Sequence, residues 1–116
     1  MSLEVRGLVF VGTRTPAAAA MADFARDVLG LVPRADADAD ATCFGLPDGS
    51  SFAVQATHDL ELAERTVGFL VDDLDAALGQ LRARGVATDG VAETDVGRYV
   101  HFRAPDGQLY ELVQQR

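Results

Sequence analysis

With 116 residues, 48% of them apolar and 24% charged, the chain fits one globular domain that can bury a real core. Its formal charge of −8, from 10 Lys and Arg against 18 Asp and Glu, repels polyanions, and without a basic stripe nucleic acid is excluded as an expected partner. The single cysteine, Cys43, excludes an internal disulfide or a thiolate zinc cluster, and no segment reads as a membrane span or secretion leader, so the expected address is the cytoplasm.

Leu3 to Gly12 reads as a strand rich in Val, Leu and Phe. Thr15-Pro16 then predicts a helix start, with a hydroxyl to cap orphan amides and a proline at the first helical position. Met21, Phe24, Ala25, Val28 and Leu29 draw an apolar stripe at helical spacing, and Gly30 sits where a left-handed residue ends the helix. Three short strands follow, Leu31 to Asp36, Thr42 to Leu46 and Ser51 to Gln55. The turn Pro47-Asp48-Gly49-Ser50 makes the last two a hairpin. The alternating Ala and Asp run from Ala35 to Ala41 lacks the glycine and closing Glu of a calcium loop and reads as a solvated, mobile turn.

Thr57 to Arg65 is polar and reads as a link, after which the pattern repeats. Thr66 to Val71 predicts a strand, and Asp72-Asp73 places carboxylates at a helix N-terminus, where the macrodipole favours them. Leu74, Ala77, Leu78 and Leu81 form the second apolar stripe, closed by Gly85. Val86 to Glu93, Gly97 to Arg103 and Leu109 to Gln114 are the remaining strands, with Ala104-Pro105-Asp106-Gly107-Gln108 as the final turn.

Pro47-Asp48-Gly49 recurs as Pro105-Asp106-Gly107 at an offset of 58 residues, half the chain. At that offset Phe44 matches Phe102, Cys43 matches His101, Phe52 matches Tyr110 and Val54 matches Leu112. The opening strands match at 59, Leu8 with Val67 and Phe10 with Phe69, and the helix ends at 55, Gly30 with Gly85. The expected fold is therefore α+β, two tandem βαβββ modules in one domain, about 1–57 and about 66–116.

This duplicated unit, the helix end Phe24-Ala25-Arg26-Asp27-Val28-Leu29-Gly30-Leu31 and the closing segment Phe102-Arg103-Ala104-Pro105-Asp106-Gly107-Gln108-Leu109-Tyr110-Glu111-Leu112 resemble the vicinal oxygen chelate superfamily. That group contains glyoxalase I, bleomycin-resistance proteins and extradiol dioxygenases. The resemblance implies curved sheets forming an open-barrel cleft, pairing into a homodimer, and in catalytic members a divalent metal held by His, Gln or Glu on the first and last strands of each module. Here the implied ligand positions match Gly7, Ala53, Thr66 and Glu111, of which only Glu111 is a strong donor. No cofactor is expected, and a complete metal site is disfavoured.

Two histidines are further candidate donors. His101 is on the strand paired with that of Glu111, and His58 follows the first hairpin; each has a plainer reading as a hydrogen-bonded structural residue. Glu111 itself reads either as a cleft carboxylate, raised in pKa by burial and able to act as base or cation anchor, or as a relic neutralised by Arg98 or Arg103. Tyr99, Tyr110, Phe52 and Phe69 are candidates to stack on a ligand or to pack the core, and Arg14 to bind an anionic group. The expected ligand-binding set is Glu111, His101, Tyr99, Phe69, Phe52 and Arg98.

The resulting expectation is a small-molecule-binding protein that sequesters or senses its ligand; a bleomycin-like one is permitted by family and charge. The alternative is a lyase, isomerase or dioxygenase of the same group, metal-free with Glu111 as catalytic base or with unconventional metal ligands. A third reading is an interaction module whose cleft is filled by its own side chains.

Overall fold

The computed structural model describes residues 3–35, 41–59 and 64–116, and its elements follow the expected α+β order twice. The first module holds β1 (Gly7–Thr15), α1 (Ala18–Asp27), β2 (Val32–Pro33), β3 (Ala41–Gly45) and β4 (Ser51–Ala56). The second holds β5 (Glu64–Leu70), α2 (Leu74–Ala83), β6 (Ala92–Thr94), β7 (Gly97–Arg103) and β8 (Leu109–Gln115). Most of the acidic run after Ala35 lies outside the described residues. No described helix is long and apolar enough to cross a membrane.

Two compact units result, Phe10–Arg65 and, together, the segment up to Val9 with Thr66–Arg116. The opening segment thus packs with the second module. Arg6 is the tie: its amide donates to Leu70 O at 2.8 Å and its guanidinium meets Asp72 at 2.9 Å.

In the first unit the strand order is β2-β3-β4-β1, with β4 antiparallel to β3 and parallel to β1. The helix begins two residues later than Pro16 suggests, but the Thr15 hydroxyl does accept from the Ala17 amide at 3.1 Å. Its inward face is Ala18, Met21, Ala22 and Ala25, which pack with Phe44, Phe52 and Val54. The expected stripe is displaced around the helix, because the helix stops at Asp27 and small alanines allow close approach to the sheet. Phe24, Val28 and Leu29 are left about half or more exposed, at 47%, 67% and 54%.

The second unit has the order β5-β8-β7-β6, with β8 parallel to β5 and antiparallel to β7. Here the stripe is as expected: Leu74, Ala77, Leu78 and Leu81 are all buried with Val71, Val100 and Leu112. Asp73 caps α2 by accepting from the Ala76 amide at 3.1 Å, and the Leu74 amide donates to Gln114 Oε1 at 2.8 Å. This end is doubly held.

The two hairpin turns use the same chemistry. Asp48 accepts from the Ser50 amide at 2.9 Å and Asp106 from the Gln108 amide at 3.0 Å, while Gly49 and Gly107 take φ of 86° and 79°. Such positive φ requires glycine at low cost.

Candidate functional site

Strand alternation gives each sheet a helix-packed face and an opposite face. In the second module Phe69, Val100, Phe102 and Leu112 pack with α2, and the pairing of Phe102 with Tyr110 puts Tyr110 on that side. The intervening residues, Tyr99 and His101 on β7, Glu111 on β8 and Gly68 on β5, line the opposite face. Glu111 sits directly across from His101 on one flank and from Gly68 on the other.

His101 Nε2 lies 2.9 Å from Glu111 Oε2. Glu111 is only 4% exposed, whereas the His101 side chain keeps 30% of its surface. On the other edge of the ring, Nδ1 is 3.7 Å from Asp89 Oδ2. The Asp89 amide donates to His101 O at 3.1 Å, and Thr88 bridges to Phe102, so the segment after α2 is fastened along β7. Tyr99 tilts against the imidazole with ring centres 5.3 Å apart. The imidazole is thus placed between a buried and an exposed carboxylate. A proton on Nε2 is donated to Glu111, and an imidazolium would face a carboxylate at each nitrogen.

The six residues expected at the site do not share one face. Glu111, His101 and Tyr99 come together. Phe69 packs with the α2 core, and Phe52 packs with the α1 core, its ring 6.3 Å from that of Phe44. Arg98 also lies on the helix side: its guanidinium meets Asp75 at 3.1 Å and Glu93 at 3.5 Å, and the bond to Asp75 holds its pKa above the ordinary value. The placement of these three away from Glu111 is in each case a consequence of strand parity. Arg98 therefore does not neutralise Glu111, and Arg103 turns its Nη1 to Gly107 O at 3.1 Å. Arg14 pairs with Glu64 at 3.8 Å, and His58 is exposed beyond β4.

The ladders also revise the internal match. Val11 pairs with Phe52 as Val67 pairs with Tyr110, so the opening strands align at an offset of 56 residues, Gly12 with Gly68. The offset of 59 matched apolar residues but changed parity, which exchanges the two faces. The counterpart of Thr66 is then Phe10, not Gly7; Gly7 is exposed, and a Cβ there would meet nothing within 4 Å. The four positions carry Phe10, Ala53, Thr66 and Glu111. In the first module Cys43 and Ala53 face each other where the second has His101 and Glu111. Among the described residues, no group of three or more His, Cys, Asp or Glu could hold an ion. Asp89 escaped the sequence reading; its only signal was an acidic residue in the connection after the second helix.

No family model and no curated protein matches the sequence. Solved structures do. Methylmalonyl-CoA epimerase from Mycobacterium tuberculosis is 22% identical with a TM-score of 0.76, over 100% of this chain and 91% of that one. The 2,3-dioxygenase LapB from Pseudomonas sp. KL28 is 27% identical with a TM-score of 0.76, and the Mn(II)-bound glyoxalase from Novosphingobium aromaticivorans 25% with 0.75. These two likenesses cover 96% and 95% of this chain but only 41% and 39% of theirs, so the chain spans about two fifths of each. Two tandem βαβββ modules, matched by an epimerase, a dioxygenase and a glyoxalase, give this chain the vicinal oxygen chelate fold.

Proposed function

We propose that the chain is a cytoplasmic small-molecule-binding member of the vicinal oxygen chelate superfamily that sequesters or senses its ligand and lacks a complete metal site. The observation that carries this reading is the nearly buried Glu111 paired with a partly exposed His101, where the other three positions offer Phe10, Ala53 and Thr66. A catalytic divalent ion needs several oxygen or nitrogen donors around one point with a place left open for substrate. Phe10 and Ala53 bring no donor, and the Glu111 carboxylate already engaged by His101, with the neutral Thr66 hydroxyl, does not fit that demand. A few converging polar groups beside an aromatic wall suit the orientation of an organic ligand. The half-exposed apolar strip of Phe24, Val28 and Leu29 supports pairing with a second copy.

Elemental analysis after expression in metal-replete medium tests the reading. Less than a tenth of an equivalent of nickel, zinc, manganese or iron per chain is expected; one tightly held ion per chain would overturn it.

The 2.9 Å contact favours a second reading, a metal-free lyase or isomerase in which the hydrogen-bonded pair accepts and returns a proton. Exchange of a ligand C–H for solvent deuterium, lost in Glu111→Gln, would support it over simple binding.

A further inference from the structure

We infer that Asp89–Gly90 is a site of covalent self-modification, where the chain isomerises from an aspartyl to an isoaspartyl linkage. Three Asp-Gly pairs occur, at 48–49, 89–90 and 106–107, and there is no asparagine, so an isoaspartyl linkage here can arise from aspartate alone. In the reaction the glycine amide nitrogen attacks the aspartyl Cγ. The N–Cγ bond forms, the Cγ–OH bond breaks, and the amide proton leaves with that hydroxyl as water. Water then opens the succinimide. Cleavage at Cγ restores aspartate, while cleavage at the main-chain carbonyl carbon leaves the chain running through Cβ and Cγ beside a free α-carboxylate. Water is the only co-reactant.

The fold blocks this at two of the pairs. Asp48 accepts from the Ser50 hydroxyl and amide, and Asp106 from the Gln108 amide at 3.0 Å and the Tyr110 hydroxyl at 2.7 Å. These bonds hold both carboxyls below their ordinary pKa, and an ionised carboxylate is a poor electrophile. The attacking nitrogens are engaged too, since the Gly49 amide donates to Leu46 O at 3.0 Å and the Gly107 amide to Ala104 O at 2.8 Å. Reaction there requires the turn to open first. At Asp89–Gly90 neither restraint exists. The pair is exposed between α2 and β6, outside any helix or strand. Among the described residues the Asp89 carboxylate accepts no hydrogen bond and the Gly90 amide donates none. His101 Nδ1, at 3.7 Å, stands beyond hydrogen-bond distance. The Asp89 amide is held by His101 O at 3.1 Å, so isomerisation adds a main-chain atom directly after an anchored residue.

Ageing the full chain at pH 6 and 37 °C in water labelled with heavy oxygen tests this. Each succinimide opening inserts one labelled oxygen, and trypsin separates the three pairs into peptides 35–65, 85–98 and 104–116 for mass spectrometry. Label at Asp89 should accumulate at least fivefold faster than at Asp48 or Asp106. With the chain unfolded in guanidinium chloride, the three rates should fall within twofold of one another. Gly90→Ala, whose added Cβ would meet nothing within 4 Å, should keep the melting temperature and slow labelling at Asp89 at least fivefold, because the methyl crowds the attacking nitrogen. A smaller lead for Asp89 in the folded chain, a lead that persists on unfolding, or unchanged labelling in Gly90→Ala would overturn the inference.

Discussion

Replacing His101 by Leu, Glu111 by Leu, and both together measures how strongly the two side chains depend on each other. Glu111 is 4% exposed and its carboxylate has Nε2 of His101 at 2.9 Å. Leucine at 101 strands that carboxylate, and an unsatisfied buried acceptor costs about 1–3 kcal/mol, more when charged. Because the His101 side chain is 30% exposed, water reaches part of the vacated space, which places the expected cost near 2 kcal/mol. Leucine at 111 leaves an imidazole that can turn to water, a loss of about 1 kcal/mol. Replacing both removes donor and acceptor together and should cost about 1 kcal/mol or less, so the coupling energy is about 2 kcal/mol. Urea unfolding at pH 7 supplies the four stabilities, with unchanged m values as the check on two-state behaviour. A coupling below about 0.3 kcal/mol, the level of independent sites, would refute the pairing.

At Gly97 an added Cβ would stand 2.1 Å from Gln114 O and 3.0 Å from Gln115 Cα, all backbone, so Gly97→Ala should lose at least about 1–3 kcal/mol. Gly7→Ala, in open space, should stay within about 0.5 kcal/mol, and matched melting curves would expose any failure of that contrast. Leu74 is fully buried in the α2 core, and Leu74→Ala should cost about 2–5 kcal/mol in the same assay, whereas a loss under 1 would mean that the core is misassigned. The Gln108 amide and then the Tyr110 hydroxyl hold the Asp106 pKa below the usual carboxylate value, while the bond to Asp106 raises that of Tyr110. Asp106 therefore contributes stability above its unfolded pKa, near 3.9, that is lost as pH falls through the lower folded value. Tyr110 contributes below its unfolded pKa, near 10, and loses that as pH rises through the raised one. Melting temperature against pH should lose part of its acid limb in Asp106→Asn, and superimposable profiles would count against the contact. Sedimentation should find a dimer that Val28→Asp weakens; a monomer in the unaltered chain would remove the pairing proposal.

The sequence by itself determined the repeated α+β unit, because its signals are local. Asp-Gly turns demand positive φ at Gly49 and Gly107, Asp73 caps the helix it precedes, and the Leu74, Ala77, Leu78 and Leu81 stripe has helical spacing wherever it is packed. It also revealed that Glu111 stands among donor-poor positions, since Ala53 lacks a donor in any register. Only the tertiary structure decided which side chains meet. A strand exchanges its faces with every residue of register, and register is set by partners distant in sequence. The pairing of β1 with β4 moved the match from Gly7 to Phe10, and parity sent Phe52, Phe69 and Arg98 to the helix side. Asp89 joined His101 because the Thr88–Phe102 bridge lays that connection against β7, a contact with no trace in local spacing.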